Sequence, residues 1–250
     1  MKDLFKFPGK QGSLTEKAAG KKSNIPAIAN KQEVASFLSK LATIPNTGGD
    51  ARLIFALDAT ASRQPTWDIA TQLQADMFTT AQSLGGLNLQ LCYFRGLAEF
   101  YKSNWQTNSQ ELLQLMTRIR CEAGATQLKR TLQHAIKENS SKKLKAVVFI
   151  GDAMEESRDV LAQLAGKLGL LNVPLFIFQE GGDPLAREVF KELCHLSGGA
   201  YSHFDAAGAE QLKELLRAVA VYAAGGLRAL QEFSKKSTQS VKLLERQLKS

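Results

Sequence analysis

The sequence predicts an α/β fold: a doubly wound, mostly parallel central sheet with one antiparallel edge strand and helices on both faces. Three observations lead there. RLIFALD (52–58), LKAVVFIGD (144–152) and VPLFIF (173–178) are nearly continuous apolar runs, the pattern of strands buried on both faces. Stretches with helical spacing of apolar residues alternate with these runs, as crossover connections between parallel strands require. LNLQLCYF (87–94) is followed across Arg95-Gly96-Leu97 by AEFYKS (98–103), the arrangement of a hairpin that would supply the antiparallel edge.

Taken in order, residues 1–30 mix Lys, Gly and Ser with two prolines, which predicts a basic flexible arm. KQEVASFLSKLA (31–42) places Val34, Phe37, Leu38 and Leu41 on one helical face, and IPNTGGD then breaks the chain, so 31–50 reads as a short helix and linker. After the strand at 52–58, PTWDIATQLQADMFTTAQSL (65–84) has Ala70, Leu73, Met77, Ala81 and Leu84 at helical spacing. Pro65 suits its first turn and Gly85-Gly86 stops it. The hairpin follows, then helices at 108–119 and 126–139, the strand at 144–152, a helix at 157–169 and the strand at 173–178. Asp183-Pro184 opens a helix at 184–197 as cap and first-turn proline. AYSHF (200–204) is a short strand, and a last helix begins near Ala207 with a break at Gly225-Gly226. The domain so outlined spans 51–222, and 223–250 reads as a basic helical extension. Its VKLLERQLK has Val241, Leu244 and Leu248 on one face, an amphipathic pattern for a partner or membrane surface, or a frayed tail.

The chain has 250 residues, 44% of them apolar, which suits one α/β domain of roughly 150–200 residues with flanking segments. No window approaches the ~18–20 apolar residues of a membrane span. The N-terminal segment has neither an apolar stretch nor a cleavage pattern, so a cytoplasmic protein is expected. The three cysteines, Cys92, Cys121 and Cys194, have no metal-ligand spacing and read as reduced thiols, two of them in the core. Net charge is +8, with +5 in residues 1–31 and +4 in 226–250, leaving −1 for 32–225. The basicity belongs to the ends, which could meet nucleic acid or an anionic surface or act only as solubilising tails.

Ligands of open α/β sheets lie outside the carboxyl ends of the strands, at the switch in strand order. Three polar loops are expected at that rim: Asp58-Ala59-Thr60-Ala61-Ser62, Gly124-Ala125-Thr126, and Gly151-Asp152. Two carboxylates and three hydroxyls form an oxygen-only donor set. Such donors suit Mg²⁺, with Mn²⁺ or Ca²⁺ as further candidates, and disfavour zinc or copper. A site with few charges that keeps several waters fits Mg²⁺ best. It would leave a position open for a carboxylate from a second protein. The competing structural reading is that Asp58 and Thr60 only cap turns, as Asp and Thr commonly do.

The D-x-T-x-S run at Asp58–Ser62 resembles the D-x-S-x-S signature of the von Willebrand factor A family, whose members carry a metal-ion-dependent adhesion site. GATQLKRTLQHAI (124–136) is similar to that family's glycine-rich turn, VVFIGDAMEE (147–156) to the strand that delivers its final Asp, and LFIFQEGG with LCHLSGGAYSHF to its closing elements. The resemblance covers about 51–222. It implies that Thr60 and Ser62 coordinate the metal directly, that Asp58 and Asp152 hold it directly or through water, and that Thr126 joins according to conformational state. A protein partner would supply an Asp or Glu carboxylate. Cytoplasmic relatives of bacterial type often serve as accessory subunits of AAA+ or stress-response assemblies. Thr60 stands where Ser is usual, and Ala125 and Ala153 where Gly is frequent; none of these changes removes a ligand atom.

Two other function classes remain on the residues. One is a Mg²⁺-dependent hydrolase or phosphoryl-transfer enzyme, against which stand the missing P-loop, nucleophile motif and supported general base. The other is a nucleic-acid-associated protein acting through its basic termini, against which stands the lack of interleaved aromatic and basic residues in the core. The expected class is therefore a binding module and not an enzyme. Cys194, His195 and His203 match no zinc spacing. Cys121 could be a redox-sensitive thiol near the site. Glu155-Glu156 follows Asp152 and reads as a solvated helix start, with the rim of the metal face as the alternative; Trp67 reads as core, and Trp105 as a loop-packing residue.

Overall fold

The computed structural model describes residues 51–63, 87–204 and 209–248. The arm at 1–30, the helix and linker at 31–50, the helix at 65–84 and Trp67 lie outside the described residues. Six strands form one sheet: β1 (Ala51–Asp58), β2 (Leu87–Arg95), β3 (Glu99–Lys102), β4 (Leu144–Gly151), β5 (Leu175–Glu180) and β6 (Ala200–Phe204). Their order is β3-β2-β1-β4-β5-β6. All neighbours run parallel except β2 and β3, the predicted antiparallel edge.

The described helices are α1 (Ser109–Thr117), α2 (Leu128–Ser141), α3 (Arg158–Leu170), α4 (Pro184–Ser197), α5 (Ala209–Ser234) and α6 (Gln239–Gln247). Strand alternation divides the core in two. Leu53, Phe55 and Leu57 of β1 face a cluster completed by Leu212, Leu215, Leu216 and Val219 of α5. Ile54 and Ala56 face the opposite cluster, which Leu132 of α2, Leu161 of α3 and Phe190 of α4 complete. Both faces of the strands are thus covered, the condition that continuous apolar runs impose.

Element boundaries follow local chemistry. β5 starts at Leu175 rather than 173, directly after Pro174, which has no N–H for the ladder and contributes only its carbonyl, to the Val147 N–H at 3.0 Å. At α4, Asp183 accepts from the Ala186 N–H at 2.8 Å with Pro184 in the first turn, as the sequence predicts. Gly225-Gly226 marks a kink but not an end: Gly226 has φ 71 and ψ −168, and the chain continues helically to Ser234.

The C-terminal segment differs from expectation. Its apolar face is neither frayed nor left for a partner, because Val241 and Leu244 of α6 are fully buried in the α5-side core. The Gln247 side-chain amide receives the Tyr201 N–H (2.8 Å) and donates to the Tyr201 carbonyl (3.0 Å), covering the backbone of edge strand β6. Ser234 donates to the buried Glu245 carboxylate, joining α5 to α6.

Candidate metal site

The sheet extends from β1 through β2 on one side and through β4 on the other, so the carboxyl ends of β1 and β4 border the switch-point crevice. Asp58 ends β1 there, and Asp152 follows the end of β4. Gly151 lets the two strand ends approach. A Cβ at Gly151 would lie 3.3 Å from the Asp58 Cβ and 2.6 Å from the Phe149 ring.

Asp58 is fully buried. Its Oδ1 accepts from the Thr60 N–H at 2.8 Å, an Asx-type turn that folds the D-x-T-x-S segment back on itself. Its Oδ2 is buried with no hydrogen-bond partner among the described residues. Burial pushes the Asp58 carboxyl up to about 6; hydrogen bonds from Thr60 and the Arg63 guanidinium oppose that shift, and the Asp152 charge adds to it. A short 3-10 turn at Ala61–Arg63 follows. It brings Thr60 Oγ1 and Ser62 Oγ to 3.2 Å. Thr60 is buried and Ser62 exposed, so the pair runs from the Asp58 carboxylate to the surface.

The third loop reaches the same rim through backbone pairing. The Glu122 N–H donates to the Ala59 carbonyl at 3.0 Å, and the Ala125 N–H to the Gly96 carbonyl at 3.3 Å. Gly124 is required by this close approach, since a Cβ there would fall 1.9 Å from the Gly96 carbonyl oxygen. The Thr126 hydroxyl makes no hydrogen bond to Asp58, Thr60 or Ser62. Instead it donates to Glu155 Oε2 at 2.7 Å, and its N–H donates to the same oxygen at 3.0 Å. The Glu155 N–H in turn donates to Thr126 Oγ1 at 3.3 Å. Glu156 accepts from the Lys129 N–H at 3.1 Å. Glu155 is exposed and Glu156 half-buried, in keeping with a solvated start to α3, and both carboxylates also take up free N–H groups at the head of α2.

So the structure joins Asp58, Thr60 and Ser62 in one cluster, sets the Asp152 charge against Asp58, and ties Thr126 to the loop that carries Asp152. Among the described residues no group of three or more His, Cys, Asp or Glu side chains is placed to hold a metal. The site has two carboxylates and relies on hydroxyls for the rest, and the orphaned Asp58 Oδ2 is the kind of buried acceptor that a hard cation satisfies. The residues therefore fit Mg²⁺.

Two residues of this region, Arg63 and Glu180, escaped sequence reasoning, and the contact of Glu155 with Thr126 did too. Arg63, almost wholly buried, pairs with Glu180 Oε2 at 2.9 Å and donates to the Asp58 carbonyl at 3.0 Å. A charged residue ending the doubly buried strand LFIFQE was the available signal for Glu180. The place of Glu155 after Asp152 marked it as a candidate rim residue, but its pairing with Thr126, 29 residues away, carried no local signal. The other readings fare as follows. Cys92 and Cys194 are buried and unpaired by disulfide. Trp105 packs against the core, with the Arg52 guanidinium 3.8 Å from its ring centroid.

No protein-family model and no curated protein matches the chain. Solved structures do. A von Willebrand factor type A protein from Catenulispora acidiphila is similar over 71% of this chain at 13% identity and a TM-score of 0.55; the match takes in 43% of that chain. The VWA domain of SpRpn10 is similar over 68% of this chain and 94% of its own, at 12% identity and a TM-score of 0.53. Proximal thread matrix protein 1 from the mussel byssus, described with a zinc-occupied MIDAS motif, is similar over 70% of this chain and 47% of its own, at 12% identity and a TM-score of 0.55. At such identities the likeness concerns the fold, and with the strand order and two-sided core above it establishes that this chain has the von Willebrand factor A-type α/β fold.

Proposed function

We propose that this protein is a metal-dependent protein-recognition module. In this reading Asp58, Thr60, Ser62, Thr126 and Asp152 hold Mg²⁺, directly or through water. When bound, the ion offers an open coordination position to an Asp or Glu carboxylate of a partner protein. The chain's own residues do the rest: Asp58 and Asp152 contribute negative charge, the hydroxyls of Thr60 and Ser62 lead from the buried carboxylate to the surface, and Gly151 keeps the two carboxylates close. The observation that carries the reading is Asp58 Oδ2, a buried carboxylate oxygen with no hydrogen-bond partner among the described residues, beside two hydroxyls. The mussel protein described with a zinc-occupied MIDAS motif shares this fold, which supports the reading.

The same reading makes the protein a binding subunit and not an enzyme. It would serve in the cytoplasm as an accessory to a larger assembly of the AAA+ or stress-response kind. None of the three cysteines is paired in a disulfide, which accords with that compartment, and no described helix is long and apolar enough to cross a membrane. The test is Mn²⁺ binding by electron paramagnetic resonance with Mg²⁺ competition, on the intact protein and on Asp152→Ala. One Mn²⁺ displaced by Mg²⁺ and lost in the variant is expected. A folded protein that binds no Mn²⁺ at millimolar concentration would end the proposal.

A further inference from the structure

Resting on that metal-binding reading, we infer that Glu155 is a positioning residue of the site: it sets the orientation of the Thr126 hydroxyl and thereby its fitness as a ligand. A threonine hydroxyl has one proton and two lone pairs. Glu155 Oε2 receives the proton at 2.7 Å, and the Glu155 N–H occupies one lone pair at 3.3 Å. One lone pair is left uncommitted. A hydroxyl that ligates a cation must direct its proton elsewhere, and a carboxylate is the strongest acceptor for it. The Thr126 N–H, donated to the same Oε2 at 3.0 Å, fixes the backbone as well, so the hydroxyl cannot rotate without breaking the clasp.

The clasp has a second consequence. Thr126 precedes α2, whereas Asp152 and Glu155 share the loop between β4 and α3. Glu155 therefore locks two ligands from different parts of the chain into one unit, and Glu156 reinforces the lock at the Lys129 N–H. Outer partners that orient metal ligands in this way commonly govern affinity by about 10–100-fold. Glu155 is not itself counted among the ligands, and its sequence context, a run of two glutamates before a helix, does not distinguish it from surface charge.

The experiment is a double-mutant cycle on Mn²⁺ affinity, read by electron paramagnetic resonance with Mg²⁺ competition, using the full chain, Glu155→Ala, Glu155→Gln, Thr126→Val and the two combinations with Thr126→Val. The amide oxygen of Glu155→Gln can still accept both Thr126 donors, so that variant should stay within about threefold of wild type, while Glu155→Ala should bind about tenfold more weakly or worse. In the Thr126→Val background Glu155→Ala should cost nothing further. The Thr126 amide resonance of the metal-free protein should move in Glu155→Ala and hold in Glu155→Gln. Unchanged or tighter Mn²⁺ binding by Glu155→Ala overturns the inference and leaves the metal site standing; tighter binding would mean that Glu155 competes for Thr126. An equal loss in Glu155→Gln, or an undiminished loss in the Thr126→Val background, also overturns it, because charge alone would then be acting. A wild-type chain without Mn²⁺ binding removes both this inference and the reading beneath it.

Discussion

The Arg63 guanidinium lies 2.9 Å from the Glu180 carboxylate, with 1% of Arg63 exposed. It also donates to the Asp58 carbonyl at 3.0 Å and the Ile150 carbonyl at 3.4 Å. One side chain thus ties the carboxyl ends of β1, β4 and β5 directly beneath the candidate metal site. Its positive charge also partly offsets the buried Asp58 carboxylate.

Breaking this pair should be costly. Arg63→Ala leaves Glu180 buried without its cation and should lower stability by about 3–5 kcal/mol. Combining Arg63→Met with Glu180→Gln should recover much of that loss, since the orphaned charge is then removed. Urea unfolding of the single and double variants measures both.

Asp58 predicts a pH dependence for the metal-free protein. Its carboxyl is raised from the ordinary 3.8 to about 6 by burial. Between those values the folded protein holds a proton that the unfolded chain has released. The contribution of Asp58 to stability therefore falls as pH rises through that window, and above about 6 the full cost of the buried carboxylate is present. Measured against Asp58→Asn in chelator, wild type should lose about 2 kcal/mol between pH 4.5 and 7.5. A difference that does not vary with pH would show that this carboxyl does not titrate there.

Metal should reverse that cost. A ligand that binds only the folded state at one hundred times its Kd stabilises by about 2.7 kcal/mol. Saturating Mg²⁺ should raise the melting temperature at pH 7.5, and chelator should remove the gain. Asp152→Ala should show no Mg²⁺ effect.

The three thiols should separate by reactivity. Cys92 and Cys194 are buried, and burial pushes the Cys92 thiol up to about 12 and that of Cys194 higher still. Cys121 is half-exposed. A maleimide should label one site in the native protein, identified as Cys121 by peptide mass, and three after denaturation.

Deleting residues 239–250 should destabilise the domain even though the segment reads as a tail. Val241 and Leu244 lose their burial, worth about 4 kcal/mol together at typical values for aliphatic side chains. The backbone of Tyr201 on β6 also loses its Gln247 cover. Thermal melts and sedimentation at several concentrations would register both effects, the second as self-association through the uncovered edge.

Much of the architecture was legible because the signals are local and periodic. Runs such as LKAVVFIGD announce strands buried on both faces, the helical spacing between them announces crossovers, and the hairpin announces an antiparallel edge, while the strand order came from the tertiary structure. The three polar loops were legible for a related reason: in this topology the ends of β1 and β4 must meet, so Asp58 and Asp152 must lie near each other. What sequence alone did not decide depends on pairs far apart in the chain. Arg63 meets Glu180 across 117 residues, Thr126 meets Glu155 across 29, and Gln247 meets Tyr201 across 46. Each of these polar side chains would read as solvated surface in its own segment. Packing takes Arg63, Glu180 and Thr126 out of water, and a polar group so removed must find whatever partner the fold has placed beside it, while Glu155 and Gln247 supply such partners from the exposed side.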